Sequence, residues 1–286
     1  MRQLLLLLLG FFLQGREMAN AQNYNKLMGK AIKKSIGTDL KGYQTFSYPT
    51  DNYGLITSFN KSAMTENFIC DMWNCIGVDN INSKSENWLD MNGFAAVGGG
   101  GSIDLSEKDQ RKFALNILLP KIYDMIGFSG KIKNDKTTQV TVTIGKGYIR
   151  MLRKKPILDY IKSSSGPLKN AYDNNNLVII VADCVIDGLS VAIQVDKKDS
   201  LALESKLQIP ANTVAGKIFS DASLSLAITK DVSGKYTFKV SHPVIYARLA
   251  KKQPISEELE GDTSITFDKW LDVNENEYLN HTVQKK

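Results

Sequence analysis

The sequence predicts an α+β protein in which antiparallel hairpins outweigh helices, and three observations carry that reading. From Leu189 to Ile209, apolar residues alternate with polar ones about a charged tip, Asp196-Lys197-Lys198-Asp199. Leu189, Val191, Ile193 and Val195 lead in; Leu201, Leu203, Leu207 and Ile209 lead out. Period-two alternation gives a strand one dry and one wet face. ASLSLAIT (222–229) and KYTFKV (235–240) form a second hairpin across Asp231–Gly234. Ser106, with Asp109 three residues on, starts a helix that runs to about Met125 and that Pro120 should kink or split. The dry face of the first hairpin suits either a protein core or lipid, since a membrane β-strand needs roughly 9–11 residues with apolar side chains turned outward.

The remaining elements follow in order. NYNKLMGKAIKKSI (23–36) is a short amphipathic helix: Leu27, Met28, Ala31, Ile32 and Ile36 share one face, Lys26, Lys30, Lys33 and Lys34 the other, and Gly37 ends it. Such a helix packs on a body or lies on an anionic membrane. YQTFSYPTDNYGLITSF (43–59) reads as aromatic strands about a turn, and FICDMWNCIGV (68–78) as a buried segment. Gly98–Gly101 lacks the spacing of a phosphate loop and reads as a flexible joint. Val140, Val142 and Ile144 alternate with Thr141 and Thr143. In the segment 147–161 Arg150, Arg153, Lys154 and Lys155 cluster between apolar anchors. LVIIV (177–181) is a buried strand, and Val244–Leu249 is the last strand of the body.

Charge is unevenly spread. The formal net charge is +6, yet residues 254–286 hold eight acids against three lysines, so the body is more basic than the whole. A basic body with an acidic tail points to an anionic partner that the tail can mask, or to a mixed, solvated surface. No recognition helix or stacking platform is legible, so nucleic acid is not expected. The three cysteines, Cys70, Cys75 and Cys184, cannot all pair in one chain and read as reduced thiols of a cytosolic protein. Residues 1–17 are either a signal peptide, with the apolar run Leu4–Leu13 and an Ala19-x-Ala21 site, or lie ahead of a true start at Met18, which the cysteines favour. Residues 18–253 then form the body and 254–286 the acidic tail. With two histidines, His242 and His281, and no HExxH, GxSxG or CxxC pattern, no catalytic centre, metal site or cofactor is expected.

In order and spacing, the segments GYQTFSYPTDNYG, FICDMWNC, WLDMNGFAAVGGGGSIDL, KTTQVTVTIGKGYIRMLRKKPILDYI, LVIIVADCVIDGLSVAIQV and SGKYTFKVSHPVIYARLAKKQP resemble the gasdermin-like pore-forming proteins over about residues 26–254. The closer resemblance is to the fungal branch of regulator-of-cell-death and incompatibility proteins. It implies a twisted, mainly antiparallel β-sheet with surrounding helices, which converts to a membrane β-barrel as many subunits close into a ring. Two regions would re-extend as spanning hairpins: Gly98–Ile144, and Leu189–Ile209 with Ala222–Thr229. Leu189, Val191, Ile193, Val195, Leu201, Leu203, Leu207 and Ile209 would then meet lipid. Lys26, Lys30, Lys33 and Lys34, with Arg150, Arg153, Lys154 and Lys155, would meet acidic head groups. The implied partners are an acidic phospholipid membrane, further copies of the chain or an allelic variant, and a serine protease that removes the tail. The implied location is the cytoplasm, with relocation to the plasma membrane. The chain departs from bacterial members, lipidated on an early cysteine, because none lies between Met18 and Cys70. Its rivals are a secreted β-sandwich binding protein and a peripheral lipid-binding regulator.

Overall fold

The structure, a computed structural model, describes residues 28–35, 37, 40, 42–61, 68–127, 139–194, 197–208, 216–220, 225–253 and 270–273. The strands are β1 (Gln44–Thr50), β2 (Ser58–Asn60), β3 (Phe68–Cys70), β4 (Ala95–Ser102), β5 (Gln139–Thr143), β6 (Lys146–Leu152), β7 (Leu177–Asp187), β8 (Ser190–Gln194), β9 (Gly216–Ser220), β10 (Ser225–Lys230), β11 (Lys235–Val240), β12 (Val244–Lys252) and β13 (Leu271–Asp272). The helices are α1 (28–35), α2 (Ile81–Glu86), α3 (Glu107–Phe113), α4 (Leu119–Met125), α5 (Lys154–Ser163), α6 (Pro167–Asp173) and α7 (Lys197–Leu207). Every strand pair is antiparallel.

LVIIV carries no polar residue because β7 is covered on both faces. One edge of β7 pairs with β12; the other pairs with β2 along Leu177–Ile179 and with β6 along Ala182–Asp187. With β1, β3, β4 and β13 these make an eight-stranded sheet. Beyond Gly188 the chain turns into β8, the second strand in a five-stranded sheet of order β5-β8-β11-β10-β9. One core, beneath α1, α3, α4 and α7, joins the inner faces of both sheets. A second core lies beneath α5 and α6 around Trp73 and Trp88.

Local sequence explains much of this. The Ser106 hydroxyl accepts from the Asp109 N–H at 3.2 Å and donates to its carboxylate at 2.7 Å, capping α3 as the sequence predicts. Pro120 does not split the helix. A π-helical turn over Ala114–Leu118 widens the backbone between α3 and α4, which accommodates the missing N–H and the proline ring. Gly37, at φ +71°, ends α1.

Three expectations are corrected. Residues 201–207 are not a returning strand: Leu203 and Leu207 stand one helical turn apart on α7, and both are fully buried. Gly98–Gly101 is no joint but most of β4, paired with β6; a Cβ on Gly101 would sit 2.1 Å from the Ser35 carbonyl oxygen, so glycine lets α1 cross the strand. Cys70 and Cys75 form a disulfide rather than two thiols, leaving Cys184 as the free, buried cysteine. Part of the acidic segment after 253 packs on the body: β13 pairs with β12, and Trp270 and Val273 are buried.

Replacing Gly101 by alanine should force α1 off β4 and destabilise the fold by about 1–3 kcal/mol. Urea unfolding that leaves the midpoint unchanged would show that the α1 crossing is not tight.

Candidate functional site

The five-stranded sheet has one face on the core and one turned away from it. Its registers line up Val142, Val191, Phe238 and Ile228 in one cross-strand row, and Val140, Ile193, Tyr236 and Lys230 in the next. Leu189, Val191 and Ile193 are buried at 0–2% exposure, and so are Leu226, Ile228 and Phe238. The opposite face carries Thr141, Ala192, Thr237 and Thr229 in one row and Thr143, Ser190, Lys239 and Ala227 in another. This alternation is as the sequence predicts for β5, β8, β10 and β11. Of the other residues expected on the dry face, Leu203 and Leu207 reach the same core from α7, Leu201 is 56% exposed, and Val195 and Ile209 lie outside the described residues.

Beside these leucines α7 also makes a polar contact with the sheet. Lys230 and Glu204 form an ion pair, their side chains 7% and 12% exposed. Ser200 donates to Glu204 at 3.2 Å and lies 3.1 Å from the Tyr236 hydroxyl, which donates to the Ser200 carbonyl at 3.2 Å. The bond from Lys230, chiefly, holds the Glu204 carboxyl below its ordinary value, with Ser200 and Tyr236 assisting against burial. Reciprocally, the bond to Glu204 raises Lys230 above its ordinary value. Sequence reading missed this cluster, although a lysine at an inward position of β10 was its signal.

The two expected basic clusters do not form one surface. On α1, Lys30, Lys33 and Lys34 are exposed while Met28, Ala31 and Ile32 are buried; Lys26 lies outside the described residues. Arg153, Lys154 and Lys155 are exposed at the start of α5, with no acid in its first turn. There the helix dipole adds to their positive potential. The α1 end of β4 pairs with Lys146 and the α5 end with Leu152, roughly 20 Å apart along the strand at about 3.3 Å per residue. The helices also serve different cores and so lie on opposite faces of the sheet.

Arg150 is removed from the basic clusters. It is wholly buried, bonded to Asp183 at 2.9 and 2.6 Å and to the Trp88 carbonyl at 2.6 Å. Strand parity is the reason: Arg150 points into the second core, opposite Asp183 in register. His242, the one described histidine, contacts the Asp51 carboxylate at 2.8 Å and packs against Trp88. Among the described residues no three His, Cys, Asp or Glu side chains gather in a metal-binding group, and no helix is long and apolar enough to cross a membrane.

No family model and no curated protein matches this chain. Among solved structures, a bacterial gasdermin from Bradyrhizobium tropiciagri is similar at 11% identity with a TM-score of 0.33, the match covering 86% of this chain and 89% of that one.

Two outcomes follow from the buried charges. Asp183→Asn strands the Arg150 guanidinium in the core and should cost about 3–5 kcal/mol in denaturant unfolding, whereas Arg150→Met with Asp183→Leu should lie closer to the parent than either single change. Lys230 and Tyr236 are the titratable groups that face Glu204. A depressed carboxyl stabilises the fold above its unfolded value and loses that contribution as pH falls through its folded value; a raised amine loses its own as pH rises. The pair is therefore at full strength between the ordinary values of 4.5 and 10.5. Glu204→Gln should lower the melting temperature at pH 7, and the gap should narrow as pH is stepped down from 4.5. A gap independent of pH would remove the ion pair from this account.

Proposed function

We propose that this chain is a pore-forming effector of regulated cell death, which binds acidic lipid, oligomerises and inserts β-hairpins into the plasma membrane. One observation carries the reading: a five-stranded antiparallel sheet, apolar on one face and hydroxyl-rich on the other, has a helix spliced between two of its strands and helices leading into its edge strand. The helix α7 lies between β8 and β9 of this sheet, and α3 and α4 lead from β4 of the eight-stranded sheet into β5. The 11 residues of α7 span roughly 17 Å as a helix and roughly 36 Å as a strand. A hydrocarbon core of about 30 Å is within reach of the second length only. Extended, the segment puts Leu201, Leu203 and Leu207 on one face beside Leu189, Val191 and Ile193. A closed ring of such hairpins leaves no backbone group unpaired in lipid.

The resting protein is cytoplasmic in this reading. Lys30, Lys33 and Lys34 supply one electrostatic contact to an anionic membrane, and Arg153, Lys154 and Lys155 another. The acidic tail, held to the body by Trp270, β13 and Val273, restrains the chain until a serine protease cuts between the body and that strand, or until an allelic partner displaces it. The Cys70–Cys75 disulfide favours a second reading, a secreted binding protein of an oxidising compartment.

A protease site placed between residues 254 and 262 of the full chain tests the proposal. Cutting should convert a protein silent toward anionic liposomes into one that releases trapped dye. No release after complete cutting, with or without an allelic chain, would overturn pore formation, and a glycan on Asn60 would support the secreted reading. Replacing Lys30, Lys33 and Lys34 together by alanine should weaken vesicle binding on the order of a hundredfold, at about 1 kcal/mol per lysine, with an unchanged melting temperature.

A further inference from the structure

We propose that Ser200, Glu204, Lys230 and Tyr236 form a polar latch that holds α7 on the five-stranded sheet and sets how readily this helix leaves it. The latch deepens the pore-forming reading, and its link to membrane insertion rests on that reading; the latch itself does not.

The argument begins with where Lys230 points. Along β10 the inward positions are Leu226, Ile228 and Lys230, and the side chain of Lys230 is almost covered although it carries a charge. Directly across the hairpin stands Tyr236, whose ring centroid is 5.8 Å from the ammonium. An ammonium at the rim of an apolar face costs free energy unless it is paired. Its carboxylate comes from α7 and not from its own sheet. Ser200, one helical turn before Glu204, closes the cluster by touching both Glu204 and Tyr236. Two consecutive turns of one helix are thus tied to both strands of one hairpin.

Apolar contact acts beside the latch. Of the α7 side chains, Leu203 and Leu207 are buried in the shared core, while Leu201, Ser205 and Lys206 are exposed. Lifting α7 therefore separates a nearly buried ion pair together with Leu203 and Leu207. Broken together, these contacts give a helix with one stable seat and a discrete exit, rather than one that frays gradually.

Hydrogen exchange on the full chain without lipid tests the latch. Glu204→Lys and Lys230→Glu should each speed exchange of the α7 amides about tenfold while leaving β7 unchanged, and the swapped double variant should return to within about threefold of the parent. Ser200→Ala, a milder change, should speed α7 about threefold and covers the case in which a charge variant does not fold. Unchanged α7 exchange, equal acceleration of α7 and β7, or a double variant no better than the singles would each overturn the latch. Dye release then separates the two ideas. If cut parent protein releases dye and the single variants release it about tenfold faster, latch and insertion are coupled. Release at the parent's rate would overturn that coupling. A parent that never releases dye overturns pore formation and leaves the exchange result to judge the latch.

Discussion

The buried pair of Arg150 and Asp183 is the interaction on which the rest of the fold is registered. It lies at neighbouring positions of β6 and β7, wholly out of solvent. Two charges in a core are stable only when every donor and acceptor is engaged. Here the guanidinium also reaches the Trp88 carbonyl and lies over the Trp88 ring, and the carboxylate takes the Leu55 N–H at 3.0 Å. One contact thereby ties two strands, the segment before β2 and the loop after α2. Gly54 belongs to the same arrangement, because a Cβ there would fall 2.6 Å from the Asp183 carboxylate. A one-residue slip of β6 on β7 would turn Arg150 to the other face and leave Asp183 alone. Register is therefore specified in the long central strand, and through Gly188 it passes to β8 and the second sheet.

That second sheet is built on a different principle. Its inner face is apolar up to the rim, where Lys230 and Tyr236 break the pattern, and it is closed by a helix whose own sequence is ambivalent. Leu203 and Leu207 satisfy a helical stripe, while Leu201, Leu203, Leu207 and Ile209 satisfy a strand with one gap at Ser205. A segment that suits two secondary structures is held in one of them by its surroundings. In the resting protein those surroundings are the shared core and the Glu204–Lys230 pair.

Electrostatics divides the surface rather than concentrating it. The lysines of α1 and the cations at the start of α5 lie on opposite faces and opposite ends of one sheet, so no single flat surface touches both helices. The exposed lysines of α1 sit over buried Met28, Ala31 and Ile32, which makes that helix both a surface and a structural element. The Trp270–Val273 segment brings part of an acidic tail back against the last body strand, where its aromatic anchor enters the second core.

By itself the sequence determined the elements whose signals are local. The alternations of β5, β8, β10 and β11, the Ser106 cap and the Gly37 stop all depend on neighbours within a few residues, and all are present. The tertiary structure decided what depends on distant partners. Arg150 looked like one of four surface cations until Asp183, 33 residues on, was placed opposite it across a strand pair. Four glycines read as a joint because nothing nearby shows that Ser35 must pass within contact of Gly101. The stretch from Lys197 to Leu207 became a helix because Glu204 finds Lys230 and the two inward leucines find a core shared by two sheets. Periodicity reports which face of a segment is dry; only the packed molecule shows what that face is dry against.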